Sequence, residues 1–225
     1  MKAVGRPAAA LFGLLVGMTL WPGMAIPARA DETVRSEVEL STKDVGDKET
    51  ALATLVADAI RAEARSDAAF IAASSFTDIP SIPRGSVTGA DIVRSLEYGG
   101  DDVVVVKLTG DQIRRALEHG LYLYPKFNSG FLQFSGLIVT INAGAEQEGR
   151  IVSIKIDGEP LQAGKVYRVA MPAPLANGAL AYFKIWKKSD IDKDTGKTLE
   201  DAIHDYLADH KTIAKGEERL VVKSK

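Results

Sequence analysis

Asp102-Val103-Val104-Val105-Val106-Lys107-Leu108-Thr109-Gly110-Asp111-Gln112-Ile113-Arg114-Arg115-Ala116-Leu117-Glu118-His119 sets a strand directly against a helix. Four consecutive valines leave no polar face, so a strand over Asp102–Leu108 suits a sheet interior covered on both sides. Thr109 is a good N-cap, and Ile113, Ala116 and Leu117 recur at helical spacing, which predicts a helix over Gly110–His119. A strand buried on both faces requires helices or a second sheet packed on each face.

Working outward, Glu49–Arg65 reads as an amphipathic helix, with Leu52, Leu55, Val56, Ala59 and Ile60 on one stripe. The apolar run Ala68–Ala73 predicts a buried strand, which enters a Ser/Thr/Asp/Pro-rich loop over Ser74–Arg84. Thr88 caps a short helix over Gly89–Leu96. Beyond the valine strand and its helix comes a loop rich in aromatics, Tyr122, Tyr124 and Phe127. Strands are then predicted over Phe134–Ile141, Arg150–Ile156 and Tyr167–Ala170, with a turn at Asp157-Gly158. Leu175–Phe183 reads as a short helix or loop, Leu199–His210 as a helix begun by Thr198, and Leu220–Val222 as a closing strand. The elements interleave without regular βαβ spacing, so the expected fold is α/β in the broad sense (α+β), a mixed β-sheet with packed helices.

The chain has 225 residues, no cysteine, and 28 basic against 30 acidic side chains. That excludes a disulfide scaffold, a zinc–thiolate site and a thiol nucleophile. A net charge of −2 offers no long-range attraction to phosphate backbones, so nucleic acid is not expected as a partner. The first thirty residues read as a signal peptide. Lys2 and Arg6 start it, Ala8–Trp21 is uncharged, and Ala28-Arg29-Ala30 is the small-x-small pattern that signal peptidase accepts, so cleavage is expected after Ala30. The apolar run is shorter than the roughly 20 residues that a membrane span needs. Residues 31–225 are then a single domain with 25 basic and 30 acidic residues, net −5, exported to the periplasm or secreted and without a membrane anchor.

Glu49–Ala59, Gly89–Ile92, Val103–Gly110, Ala116–His119, Gly130-Phe131-Leu132-Gln133-Phe134-Ser135-Gly136-Leu137 and Leu175–Gly178 occur in an order that resembles the C-terminal domain of the periplasmic and ecto-5′-nucleotidases. The most specific pieces are the Phe-Leu-Gln-Phe-Ser-Gly-Leu run and the Leu-Thr-Gly helix start before it. The resemblance implies an α/β domain that binds the base and sugar of a nucleotide. It also implies that hydrolysis belongs to a larger metallophosphoesterase domain, which has no counterpart among these residues.

Two-metal phosphoester hydrolysis needs several His and Asp/Glu ligands converging on ions about 3.5–4 Å apart. His119, His204 and His210 lie in no ligand pattern, so no catalytic residue, metal ligand or cofactor is assigned. The resemblance places the two rings that sandwich the base at Tyr98, in Glu97-Tyr98-Gly99-Gly100, and at Tyr182, in Asn177-Gly178-Ala179-Leu180-Ala181-Tyr182. Phe183 and Trp186 are the alternatives if the register shifts. Gly99, Asn177, Ser74 and Ser75 complete the expected substrate-binding set. Ala73-Ser74-Ser75-Phe76-Thr77-Asp78 replaces the family's Asn-Gly-Gly-x-x-Arg loop, so hydroxyls and a carboxylate stand where an amide and a guanidinium would grip phosphate. Gly178-Ala179-Leu180-Ala181 likewise departs from Gly-Gly-Asp-Gly. Asp190–Asp201 has carboxylates at alternate positions, but a calcium loop would need its glycine one place earlier and a final Glu. It is expected to be a solvated acidic loop that caps the next helix.

These readings predict a stand-alone module that binds a nucleoside, nucleotide or related small molecule and works with a separate metallophosphoesterase. The alternative is a non-catalytic structural or interaction protein that kept the fold and lost the ligand.

Overall fold

The valine run is the second strand of a five-stranded sheet, and helices cover it. The computed structural model describes residues 1, 32–147 and 149–223. The elements run β1 (Thr33–Ser36), α1 (Ala51–Ala64), β2 (Ala68–Ala72), β3 (Gly85–Thr88), α2 (Gly89–Val93), β4 (Asp102–Thr109), α3 (Gly110–Gly120), β5 (Leu132–Ser135), β6 (Leu137–Asn142), β7 (Ile151–Ile156), β8 (Glu159–Pro160), β9 (Val166–Pro172), α4 (Ala173–Ala176), β10 (Ile191–Thr198), α5 (Leu199–Asp209), β11 (Thr212–Ile213) and β12 (Leu220–Lys223). The expected signal peptide and its cleavage site fall outside the described residues, Met1 apart. The described residues from 32 to 223 belong to one compact unit.

The central sheet has the order β10-β4-β9-β2-β5, with only β2 and β9 parallel. Val103, Val104, Val105 and Val106 are all buried, as a strand with two covered faces requires. Helix α1 lies across β2 and β5 and packs on α5. Its start is fixed by Thr50, whose hydroxyl accepts the Ala53 N–H. Capping boxes at Thr88/Asp91, Thr109/Gln112 and Thr198/Asp201 start α2, α3 and α5.

Two expectations are corrected. The strand expected over Phe134–Ile141 is two strands in different sheets, β5 in the central one and β6 in a second sheet of order β12-β6-β7-β8. Gly136 makes the break: its φ is +78°, and a Cβ there would lie 2.3 Å from the Asp67 carbonyl. The acidic stretch expected to be a solvated loop is instead β10, an edge strand antiparallel to β4, although Asp201 does cap α5. Its charges suit an edge, where one side of the strand meets water. Asp192 pairs with Lys107, Asp194 takes the Gly196 N–H and Asp201 takes Thr198, so these carboxylates are engaged separately. A third sheet, β11-β1-β3, holds strands that the sequence pattern did not reveal.

This topology determines what meets at one end of the central sheet. Because β2 and β9 are parallel and β4 and β5 run against them, the segments after β2 and β9 and those before β4 and β5 gather there. Liganding loops of α/β sheets commonly collect at such carboxyl ends.

Candidate functional site

The segment after β2 is a tight turn, Ala73–Ser75, clamped on both sides. Ser74 N–H donates to the Ser129 carbonyl at 2.9 Å, and Ser75 O accepts the Glu97 N–H at 2.9 Å. Thr77 N–H donates to Ser95 O at 2.9 Å, which continues the second clamp. The turn thus lies between the segment carrying Tyr98 and the segment Asn128–Gly130. Ser74 is exposed and Ser75 half-buried, so their hydroxyls border this end of the sheet.

Tyr98 stands on a turn that is itself anchored. Asp101 N–H closes back on Tyr98 O at 3.2 Å, and Gly99 O accepts the Glu200 N–H from the first turn of α5 at 2.9 Å. A Cβ on Gly99 would come within 3.1 Å of Val93, so a glycine lets this turn sit against α2. The Tyr98 ring is 65% exposed.

Tyr182 is not open to a ligand. It is fully buried, its hydroxyl donates to the Gly130 carbonyl at 2.7 Å, and its ring stacks on Trp186 at a centroid distance of 4.7 Å. His119 meets the same ring edge-on, and Nε2–H of His119 donates to Leu180 O at 2.8 Å. Burial pushes the phenol far above its ordinary range, so it stays neutral. Trp186, also buried, ties the loop to α4 through Leu175 O at 3.1 Å. Tyr182 and Trp186 are therefore pillars of the loop, and Phe183, 63% exposed, is the ring that faces solvent.

Backbone geometry explains the exchange. Gly178 has φ +92°, and a Cβ there would strike Phe183 at 2.7 Å. Leu180 and Ala181 follow with φ of 57° and 66°, a left-handed pair that seldom occurs without glycine. The turn is left-handed at Gly178, Leu180 and Ala181, and the last two positions carry side chains. Asn177 is exposed, with Nδ2 donating to Ala173 O at 2.8 Å, which leaves its carbonyl oxygen for another donor.

Sequence reading missed Asn128. Its Oδ1 accepts the Gly130 N–H at 2.9 Å and its Nδ2 donates to Gly120 O at 2.8 Å, which fixes the carbonyl that receives Tyr182. The Asn128-Ser129-Gly130 composition was the available signal for such a turn. Among the described residues, no group of three or more His, Asp or Glu side chains is placed to hold a metal ion. This end of the sheet can offer exposed aromatic faces, hydroxyls and an amide oxygen to a planar polar ligand.

Comparison with known proteins agrees with this architecture. The family described as 5′-nucleotidase, C-terminal domain, matches residues 28–187. The 5′-nucleotidase of Rattus norvegicus is 28% identical over 137 residues, 57% of this chain and 23% of its own length. The structure of a 5′-nucleotidase precursor from Thermus thermophilus superimposes with a TM-score of 0.76 at 26% identity, over 86% of this chain and 39% of that one. The NAD nucleotidase of Haemophilus influenzae shares the fold at a TM-score of 0.70 and 16% identity, over 85% of this chain and 38% of its own. The chain spans 23% of the rat enzyme and similar shares of the other curated relatives.

Proposed function

The chain belongs to the 5′-nucleotidase C-terminal domain family, and from that premise we propose that it is an exported recognition module for a nucleoside, nucleotide or related small molecule. The observation that carries the reading is Tyr98: a ring 65% exposed, on a turn tied to Ser75 through Glu97 and to α5 through Gly99. Holding that turn in place in advance reduces the ordering cost of stacking a base on the ring. Each stacked base is worth about 1–3 kcal/mol in single-strand binders. Phe183 is another exposed ring, on the segment after β9 at the same end of the sheet, and takes the role expected of Tyr182. Ser74, Ser75, Gly99 and Asn177 offer hydrogen bonds around the rings, suited to a sugar or a base edge. Hydrolysis is left to a separate metallophosphoesterase that supplies the metal ligands. Export rests on the leader-like first thirty residues; no helix among the described residues is long and apolar enough to cross a membrane.

A thermal-shift series with adenosine, AMP, other nucleosides and free bases tests the reading. A ligand at 100 times its Kd stabilises by about 2.7 kcal/mol, which for a domain of this size raises Tm by roughly 5–10 °C. Tyr98→Ala and Phe183→Ala should each reduce that shift, while Val152→Ala, an exposed position in the second sheet, should not. An unchanged shift in the Tyr98/Phe183 double variant would overturn the reading.

A second reading has its own support. Tyr182 is internal, and the 73–78 loop holds no amide or cation to grip phosphate. A protein that melts cooperatively and responds to none of these compounds is a non-catalytic interaction protein built on the same fold.

A further inference from the structure

A groove of about 630 Å³ lies where the start of α1 meets β12, and Tyr98 does not line it. Among the described residues β12 is the terminal strand of its sheet, paired in parallel with β6. Its hydrogen-bond parity can be read from both ends. Val139 N–H donates to Arg219 O and Ala143 N–H to Lys223 O, whereas Leu220 N–H turns the other way, to the Glu49 carboxylate at 3.0 Å. In a parallel ladder the N–H and C=O of one residue face the same neighbour, so odd positions face β6 and even positions face outward. Glu49 takes the Leu220 N–H, and also the Arg219 N–H at 2.7 Å. The Leu220 C=O and both backbone groups of Val222 are left pointing away from β6. The Val222 side chain is 42% exposed beside them.

The charges select the occupant. Asp47, Glu217 and Glu218 line the groove and enter no salt bridge among the described residues. Lys48 is held by Asp44 at 3.1 Å, which leaves Lys215 against the four lining carboxylates Asp47, Glu49, Glu217 and Glu218. Tyr124, Leu220 and Val222 provide an apolar wall. We propose that this groove docks an extended segment of a partner protein in which basic residues alternate with apolar ones, added as a further strand on β12. Main-chain bonds to Leu220 and Val222 supply the pairing, the apolar wall takes the alternate side chains, and the carboxylates choose lysine or arginine over acid.

The test uses a fluorescently labelled Lys-Val-Lys-Val-Lys peptide and a Glu-Val-Glu-Val-Glu control, read by fluorescence anisotropy. The basic peptide should bind at least about tenfold more tightly than the acidic one. Val222→Pro removes only an outward N–H and spares the ladder to β6, so it should weaken binding about tenfold without lowering Tm. Glu217→Lys combined with Glu218→Lys should reverse the preference between the peptides. If Val222→Pro also destabilises the protein, NMR amide exchange on the wild type replaces it, and Val222 N–H should become protected when the basic peptide is added. The proposal is overturned if the basic peptide does not bind, or if it binds Val222→Pro as well as wild type. Failure of Val222 N–H to gain protection also overturns it, as does a concentration-dependent dimer that Val222→Pro abolishes, which would make a second copy the occupant.

Discussion

Tyr182→Phe distinguishes a buried pillar from a ligand platform. The ring is fully buried and its hydroxyl is 2.7 Å from the Gly130 carbonyl, so the substitution deletes one internal hydrogen bond and leaves the ring stacked on Trp186. A buried acceptor stripped of its donor costs about 1–3 kcal/mol. At about 2–4 °C per kcal/mol for a domain of this size, Tm should fall by roughly 2–12 °C. Tyr182→Ala removes the whole ring from a packed site and should cost about 3–5 kcal/mol. Calorimetric melts run beside adenosine titrations separate the roles. Tyr182→Phe should lower Tm and leave affinity within about twofold, while Tyr98→Ala should do the reverse, weakening binding by about 5- to 150-fold for a stacking loss of 1–3 kcal/mol. The hydroxyl also gives a pH signature. Burial holds the folded phenol neutral, whereas the unfolded one ionises above about pH 10. The unfolded state then binds fewer protons than the folded state, so stability falls with rising pH there, and Tyr182→Phe should make that fall shallower. A variant that melts like wild type but loses ligand would refute the pillar assignment.

Gly136→Ala should destabilise by at least about 2 kcal/mol, because a Cβ at φ +78° would lie 2.3 Å from Asp67 O, while Gly164→Ala, with open space around it, should be near neutral in the same urea melts. Ala181→Gly should gain up to about 1 kcal/mol by relieving a left-handed alanine at φ 66°; a clear drop in Tm would contradict the strain. Asp91→Asn should flatten the acid side of the stability curve: hydrogen bonds from the Thr88 amide and hydroxyl hold this carboxyl below its usual range, so its contribution is present at neutral pH and is lost as pH falls below about 4. Tm against pH for the variant should therefore lie closer to flat between about pH 5 and 3, a modest effect because the side chain is still partly exposed.

Patterns with a local cause were legible in the chain. The valine strand, the α1 stripe and the Thr-capped helix starts each follow from periodicity or capping within one segment, and so did the loops that meet at the sheet end. Breaks caused by distant groups were not. Phe134–Ile141 reads as one strand because nothing in it announces that the Asp67 carbonyl lies against Gly136. The stretch over residues 190–198 reads as an acidic loop because a charged edge strand has no apolar period, and its partner β4 begins nearly ninety residues earlier.

The site divides along the same line. Composition and order determined by themselves that a mixed sheet with packed helices forms, which family pattern the chain follows, and that aromatic residues lie near 98 and 182–186. Tertiary structure alone decided which ring faces solvent. Tyr182 and Phe183 are neighbours with similar hydrophobicity, and the choice between them depends on a left-handed turn at Leu180–Ala181 and on a carbonyl at Gly130, 52 positions away, that a buried phenol can satisfy and a phenylalanine cannot.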